Sequence, residues 1–109
     1  MQVMEYLRED GSCPYKKWFD SLDPQAAAKV ATVIYRLESG NTSAIKWFAG
    51  LGEYRIDWGP GYRIYLMQDG VELIVLLGGG SKRLQQKDID QALQLAQEYK
   101  KRKKQMGGS

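Results

Sequence analysis

Residues 53–67 read EYRIDWGPGYRIYLM, and their polar and apolar side chains alternate on both sides of a glycine-rich turn. Alternation with a period of two is typical of β-strands, whose successive side chains point to opposite faces of a sheet. The stretch therefore predicts two antiparallel strands, at residues 53–58 and 62–67, joined by a turn at residues 59–61. A sheet is thus the centre of the predicted fold, and the other segments are placed around it.

Two further strands extend this predicted sheet. Residues 2–7 alternate weakly, and residues 71–77 follow the hairpin signal Asp69-Gly70 in a nearly continuous apolar run. A run without polar alternation is typical of a central strand that is covered on both faces. The next three residues, 78–80, are all glycine and predict a flexible turn between strand and helix.

Three helices are predicted from capping residues and from the 3.6-residue period of apolar positions. The clearest begins at Asp23-Pro24, where the aspartate caps free amides and the proline takes the first helical position, and it stops at Gly40. Two others are predicted over residues 14–21 and about 84–104. The resulting order, β-α-α-β-β-β-α, indicates an α+β fold in which helices bury the apolar face of an antiparallel sheet.

Composition limits the chemistry that the chain can perform. With 109 residues, 43% of them hydrophobic, it is expected to form a single domain over residues 1–104, and residues 105–109 are expected to be a flexible tail or a cloning remnant. The absence of histidine and the single cysteine exclude the most common acid/base group, an internal disulfide and a thiolate metal cage. No metal site and no cofactor are expected. Apolar runs are also too short for a membrane span, so a cytoplasmic location without membrane contact is expected.

Positive charge is unevenly distributed along the chain. The net charge is +3, and residues 82–109 alone carry eight Lys and Arg against three Asp and Glu. The run at residues 100–104 is typical of a solvated helix end and equally of a nucleic-acid contact. On the predicted sheet, Arg55 and Arg63 lie on strands that pair. Either Arg55 forms an ion pair with Glu53, Asp57 or Glu72 on an ordinary solvated face, or the basic residues of the sheet provide a surface for RNA.

The aromatic residues can belong to the core, to a protein contact or to a surface on which bases stack. Residues 45–48, Ile-Lys-Trp-Phe, lie between the predicted helix and sheet and are a candidate protein contact. The other large aromatics, among them Trp18, Trp58 and Tyr62, are more typical of a core or of a partner contact than of a surface on which bases stack.

Two stretches resemble a known family. Residues 52–65, GEYRIDWGPGYRIY, and residues 76–89, LLGGGSKRLQQKDI, are similar to two signatures of the RelE/ParE toxin superfamily of type II toxin–antitoxin modules, within its HigB-like addiction module killer branch. The resemblance implies a RelE-like fold, growth inhibition by the free toxin, and a cognate antitoxin that binds it in a hetero-oligomer. RelE-type members cut mRNA on the ribosome without a metal, whereas ParE-type members inhibit DNA gyrase.

The resemblance also implies functional residues. Arg55 and Arg63 match basic residues on two strands of RelE-type toxins, and Lys82 or Arg83 matches the cation that follows the last strand. Because lysine and arginine titrate far from neutrality, they are poor general bases but good stabilisers of charge that develops on a phosphate. The 2′-hydroxyl of the RNA is then the expected nucleophile, with the ribosome orienting the strand.

Two more residues are assigned to RNA binding, and two positions depart from the RelE pattern. Tyr65 is expected to stack on a base or to assist proton transfer, and Lys87 to bind RNA. Asp57 stands where the best-studied RelE-type enzymes are basic, and Ile89 falls near the place of a terminal tyrosine. These departures keep two alternatives open: an inhibitor of gyrase without nuclease activity, and a protein of the toxin fold that only binds its antitoxin.

Overall fold

A computed structural model of the chain describes residues 1–106, which form five strands, three α-helices and one short 3-10 helix. The strands are β1 (Gln2–Glu5), β2 (Lys46–Phe48), β3 (Leu51–Ile56), β4 (Tyr62–Asp69) and β5 (Leu73–Ser81). The helices are α1 (Pro14–Asp20), α2 (Pro24–Glu38) and α3 (Gln85–Gln105), and the 3-10 turn Lys82–Leu84 precedes α3. The predicted α+β class is confirmed. Of the predicted tail, residues 107–109 lie outside the described residues.

The five strands form one mixed sheet in the order β1-β5-β4-β3-β2. Strands β2 to β5 pair antiparallel along the chain, as the alternation predicts, but β1 pairs parallel with β5. The prediction of a wholly antiparallel sheet is therefore wrong. Alternation along a strand specifies which side chains share a face, but it carries no information about the direction of a partner that is distant in sequence.

Two local predictions are also wrong. Residues 45–48 are expected to lie between helix and sheet, but residues 46–48 form the edge strand β2. Trp47 is 45% exposed, so a protein contact at this place stays a prediction. The glycines at 78–80, expected to form a turn, lie inside β5 and pair with residues 63–65 of β4. A strand of three residues is too short to show an alternating pattern, and glycine, which has no side chain, is depleted in strands.

The glycines are required because helices pack very closely against this part of β5. A Cβ atom on Gly79 would overlap the Trp18 ring of α1, and one on Gly80 would overlap the Asp88 carboxylate of α3. Gly78, in contrast, has no atom within 4 Å of the position of its missing Cβ. Two of the three glycines thus allow α1 and α3 to approach the two faces of one strand.

Each face of the sheet has its own core. One is formed by α1 and α2 and includes Val30, Leu37 and Ile64, and the other is formed by α3 and includes Leu51 and Leu95. The cap predicted for α2 is confirmed, since the Asp23 side chain accepts a hydrogen bond from the amide of Ala26 at 2.8 Å. No helix among residues 1–106 is both long and apolar enough to cross a membrane.

Polar contacts fix the basic end of α3 to the sheet. Lys103 and Tyr99 donate hydrogen bonds to Asp69 at the end of β4, and Arg102 donates one to the carbonyl of Leu7 at 2.7 Å. Part of the basic run at residues 100–104 therefore has a structural role. These residues anchor α3 to the sheet through hydrogen bonds and an ion pair. Neither interpretation of the run, as a solvated helix end or as a nucleic-acid contact, included this role.

We predict that Gly79→Ala lowers the free energy of unfolding by about 1–3 kcal/mol, because the added methyl group forces the Trp18 ring away from β5. Gly78→Ala is the matched control: the site is open and the backbone is compatible with alanine, so stability should stay equal or rise by less than about 1 kcal/mol. Urea denaturation of both variants measures the difference. Equal losses in the two variants would contradict this explanation of the glycine run.

Candidate functional site

Charged residues meet on the face of the sheet that α3 covers. In the register of β3 and β4, Arg55 lies directly opposite Arg63, and Glu53 lies opposite Tyr65. Like charges on directly opposed positions destabilise a sheet. An anion between the two arginines would offset this repulsion.

Glu53 is that anion. Glu53 is only 1% exposed. Its Oε1 accepts a hydrogen bond from Nε of Arg55 at 2.8 Å, and its Oε2 accepts one from Nε2 of Gln85 at 3.1 Å. Nε of Arg63 lies 3.6 Å from Oε2, which completes an ion pair. One carboxylate thus holds two arginines on neighbouring strands and the first residue of α3.

The environment keeps Glu53 ionised. Burial by itself would raise the pKa of this carboxyl, but the hydrogen bonds from Arg55 and Gln85 and the positive charges of Arg55 and Arg63 outweigh it and hold the pKa below the ordinary value. A carboxylate that is ionised and fully bonded is a poor proton donor. Its role is to orient the arginines.

The two arginines differ in accessibility. The Arg55 side chain is 52% exposed, and among the described residues its hydrogen bonding uses only Nε, which leaves its Nη groups available. The Arg63 side chain is only 8% exposed, and its Nη1 donates to the carbonyl of Gly61 at 3.2 Å. Both were predicted to contact phosphate, but the structure presents Arg55 to solvent and places Arg63 beneath the surface.

The predicted cations after the last strand lie at the same end of the sheet. Lys82 and Arg83 are exposed on the 3-10 turn that follows β5. A Cβ atom added to Gly61 would lie 3.5 Å from Cβ of Lys82 and 4.0 Å from Nη1 of Arg63. The structure therefore brings Lys82 and Arg63 together around the turn between β3 and β4.

Of the two residues assigned to RNA binding, Tyr65 is buried and Lys87 is exposed. Tyr65 is 1% exposed, so its ring is not available for stacking on a base as the structure stands. Its hydroxyl has no hydrogen-bond partner among residues 1–106, and burial, with the charge of Glu53, raises its pKa. Lys87 is exposed in the first turn of α3, where RNA contact remains a prediction.

Two polar residues of α3 that the sequence patterns did not assign to the site also lie there. Gln85 bonds Glu53, and Asp88 lies against Gly80, the strand neighbour of Arg63. Burial raises the pKa of Asp88, whose carboxylate forms no ion pair or hydrogen bond among the described residues. The signal was present in the spacing, because residues three apart lie on one helix face, and Gln85 and Asp88 therefore both point to the sheet.

The aromatic residues at this end of the sheet pack on one another. The rings of Trp58 and Tyr62 stack at an angle of 28° with their centroids 6.3 Å apart, and Trp18 lies edge-on to Tyr62. The Nζ atom of Lys29 lies 5.1 Å from the centre of the Trp58 ring. These contacts occupy the ring faces, in agreement with a packing role. No group of three or more Cys, Asp or Glu side chains within residues 1–106 is arranged to hold a metal ion.

The chain is similar to a protein of Haemophilus influenzae. No model of a protein family matches the chain. A Haemophilus influenzae protein, described as an uncharacterized protein, is 45% identical to it over 86 residues, which are 77% of this chain and 87% of that protein. Such identity over most of both lengths indicates a common fold.

We predict that Glu53→Gln lowers the free energy of unfolding by about 3 kcal/mol at pH 7, because two arginines would face each other without their shared anion. Asp57→Asn, which removes an exposed carboxylate from the same segment, is the control and should change stability by less than about 0.5 kcal/mol.

Glu53→Gln also gives a prediction for the pH dependence of stability. The ordinary pKa of a glutamate carboxyl is 4.5, and the pKa of Glu53 in the folded chain is lower. The ionised carboxylate therefore contributes fully to the free energy of unfolding above pH 4.5. This contribution is lost as the pH falls through the pKa of Glu53 in the folded chain. The stability difference between wild type and Glu53→Gln should therefore shrink in acid. A difference that is constant from pH 7 to pH 3 would contradict the proposed ionisation.

Proposed function

We propose that this chain, which belongs to the same family as the uncharacterized Haemophilus influenzae protein, is a RelE/HigB-like toxin of a type II toxin–antitoxin module and cleaves mRNA on the ribosome. The observation that carries the proposal is the exposed guanidinium of Arg55, fixed by buried Glu53 beside Arg63 at the end of the sheet where Lys82 also lies. This is the same set of cations that the two sequence signatures bring together.

The arrangement suits an attack by RNA on its own backbone. The 2′-oxygen forms a bond to phosphorus while the bond from phosphorus to the 5′-oxygen breaks, and the proton of the 2′-hydroxyl must leave as the 5′-oxygen gains one. Negative charge grows on the phosphate oxygens during this step. Preorganised cations that face those oxygens stabilise the transition state without having to titrate.

Arg55 is the residue best placed for this role. Its Nε is occupied by Glu53, so the plane of the guanidinium is fixed, and the Nη groups remain for two phosphate oxygens. Arg63 supports it from beneath with a second positive charge, which Glu53 only partly offsets. Lys82, exposed beside the turn at Gly61, is placed to meet the leaving oxygen or a neighbouring phosphate.

Under this proposal the partners are mRNA in the ribosomal decoding site and a cognate antitoxin, and the protein acts in the cytoplasm. Because the chain has no histidine, proton transfer in this reaction does not depend on one, and no cofactor takes part. Ribosomal groups or the solvent complete the proton transfer. Inhibition of gyrase and binding of antitoxin alone remain as the alternatives that the experiment separates.

We predict that Arg55→Ala reduces cleavage of translated mRNA by about 10²–10³-fold, as expected when one preorganised donor to the transition state is lost. Expression of the wild type in translating cells, followed by mapping of mRNA 5′ ends, should show new cuts within translated messages. Arg36→Ala, which removes an exposed arginine of α2 outside both sequence signatures, is the matched control and should cleave like wild type.

Arg55 is preferred over Arg63 for this test because Arg63 is buried and paired with Glu53, so its loss is also expected to lower stability. Thermal unfolding of Arg55→Ala checks that its structure is intact. Equal cleavage by wild type and Arg55→Ala, or growth arrest with no cuts in translated messages, would contradict the proposal. Inhibition of supercoiling by purified protein in a gyrase assay, without RNA cleavage, would support the first alternative.

A further inference from the structure

An exposed lysine of the edge strand β2 lies beside Arg55. Lys46 is directly opposite Glu53 in the register of β2 and β3, and Arg55 follows Glu53 by two residues. Opposed residues of an antiparallel pair share a face, so Lys46 lies on the face of the sheet that carries Glu53 and Arg55. Diagonal neighbours such as Lys46 and Arg55 are about 7–8 Å apart. The positive charge at Arg55 thus continues onto the edge strand.

A third cation lies at the turn between β2 and β3. The Nζ atom of Lys100, near the end of α3, is 3.8 Å from the position that a Cβ atom would take on Gly50. Gly50 is five residues from Arg55, which corresponds to roughly 17 Å of extended strand. Arg55, Lys46 and Lys100 therefore follow one another along the side of α3 that faces β3, and we call these three residues the basic row.

The two lysines of the basic row have no partner within the fold. Both are exposed, and neither forms an ion pair among residues 1–106. Lys103 of the same helix end differs, because it is paired with Asp69. Glu53, the carboxylate opposite Lys46, is buried and takes its hydrogen bonds from other side chains. The ammonium groups of Lys46 and Lys100 are therefore available to an external anion.

The chemistry of the basic row favours a nucleic acid over a protein as its ligand. Protein partners are held mainly by aromatic and apolar anchors. Trp47, the exposed aromatic of β2, packs over Gly52 on the opposite face of the sheet, and Phe48 packs in the core beneath α3. A single RNA strand carries a negative charge on every nucleotide and is bound by cations that follow its backbone. Cations in a row without an aromatic anchor match such a strand.

We infer that Lys46 and Lys100 bind the backbone of single-stranded RNA that continues from the candidate site at Arg55 across the edge of the sheet. The inference rests on the proposed function for the identity of this RNA as mRNA, but not for the binding itself. The order of the strands supports it, since Arg63 on β4, Arg55 on β3 and Lys46 on β2 lie on neighbouring strands. The basic row therefore extends the site away from Lys82, which follows β5.

A pair of double variants tests the inference and leaves the candidate catalytic residues unchanged. The row variant, Lys46→Ala with Lys100→Ala, removes the two lysines of the basic row. The control variant, Arg36→Ala with Lys101→Ala, removes the same net charge from exposed positions, one on α2 and the other about 100° further round α3. The probe is a fluorescein-labelled single strand of 2′-O-methyl RNA, about 12 nucleotides long, which lacks the expected nucleophile.

Fluorescence anisotropy at low salt should show a loss of affinity of about tenfold or more for the row variant and wild-type affinity for the control variant. The slope of log affinity against log salt should become shallower by about 1.4 in the row variant, because each phosphate contact on a single strand contributes about 0.7. Thermal unfolding of both variants should match the wild type, since all four side chains are exposed.

Three results would overturn the inference. They are equal affinity and salt slope in the row variant and the wild type, equal losses in the row and control variants, and no binding of the oligonucleotide by the wild type. Unchanged RNA affinity in the row variant, together with weaker binding of the protein encoded beside this chain, would assign the basic row to a protein partner and overturn it as well.

Cleavage on programmed ribosomes separates this inference from the proposed function. The row variant should show a raised KM and an unchanged kcat, because it loses RNA binding away from the reacting phosphate. A wild type that does not cleave mRNA contradicts the proposed function, while anisotropy still decides whether the basic row binds RNA. Cleavage by the wild type, together with unchanged RNA affinity in the row variant, contradicts the basic row alone.

Discussion

The ion pairing of the buried Glu53 carboxylate with Arg55 and Arg63 is the interaction on which the candidate site depends. It allows Arg55 and Arg63 to occupy opposed positions on β3 and β4, an arrangement that repulsion would otherwise disfavour. Burial of an ion pair seldom adds much net stability, since desolvation offsets the attraction between the charges. What the carboxylate supplies here is orientation: it fixes one guanidinium with its outer nitrogens free.

Helix α3 makes this arrangement possible, and the glycines of β5 make the position of α3 possible. The first residue of α3, Gln85, bonds Glu53, Asp88 lies on Gly80, and Tyr99 bonds Asp69 at the opposite end. A side chain at Gly80 would overlap the Asp88 carboxylate, so the Asp88 side chain or the start of α3 would have to move.

Much of the fold could be predicted from local patterns. The alternation at residues 53–67 gives the hairpin and places Arg55 and Arg63 on one face, and the Asp23-Pro24 pair gives the start of α2. Local patterns do not specify contacts between distant segments, which is why the parallel pairing of β1 was missed. For the same reason the burial of Arg63 and Tyr65 was not anticipated: it results from coverage by α3, not from their own strand. The possible pairing of Arg55 with Glu53 was recognised, but the third partner, Gln85, was not.

The most direct measurement of the central claim is the chemical identity of the RNA ends left by the purified protein on programmed ribosomes. If cations stabilise an attack by the 2′-hydroxyl, the upstream fragment must end in a 2′,3′-cyclic phosphate or its hydrolysis product, and the downstream fragment must begin with a 5′-hydroxyl. Mass spectrometry of the fragments distinguishes these ends. An upstream 3′-hydroxyl with a downstream 5′-phosphate, or no cleavage at all, would contradict the account.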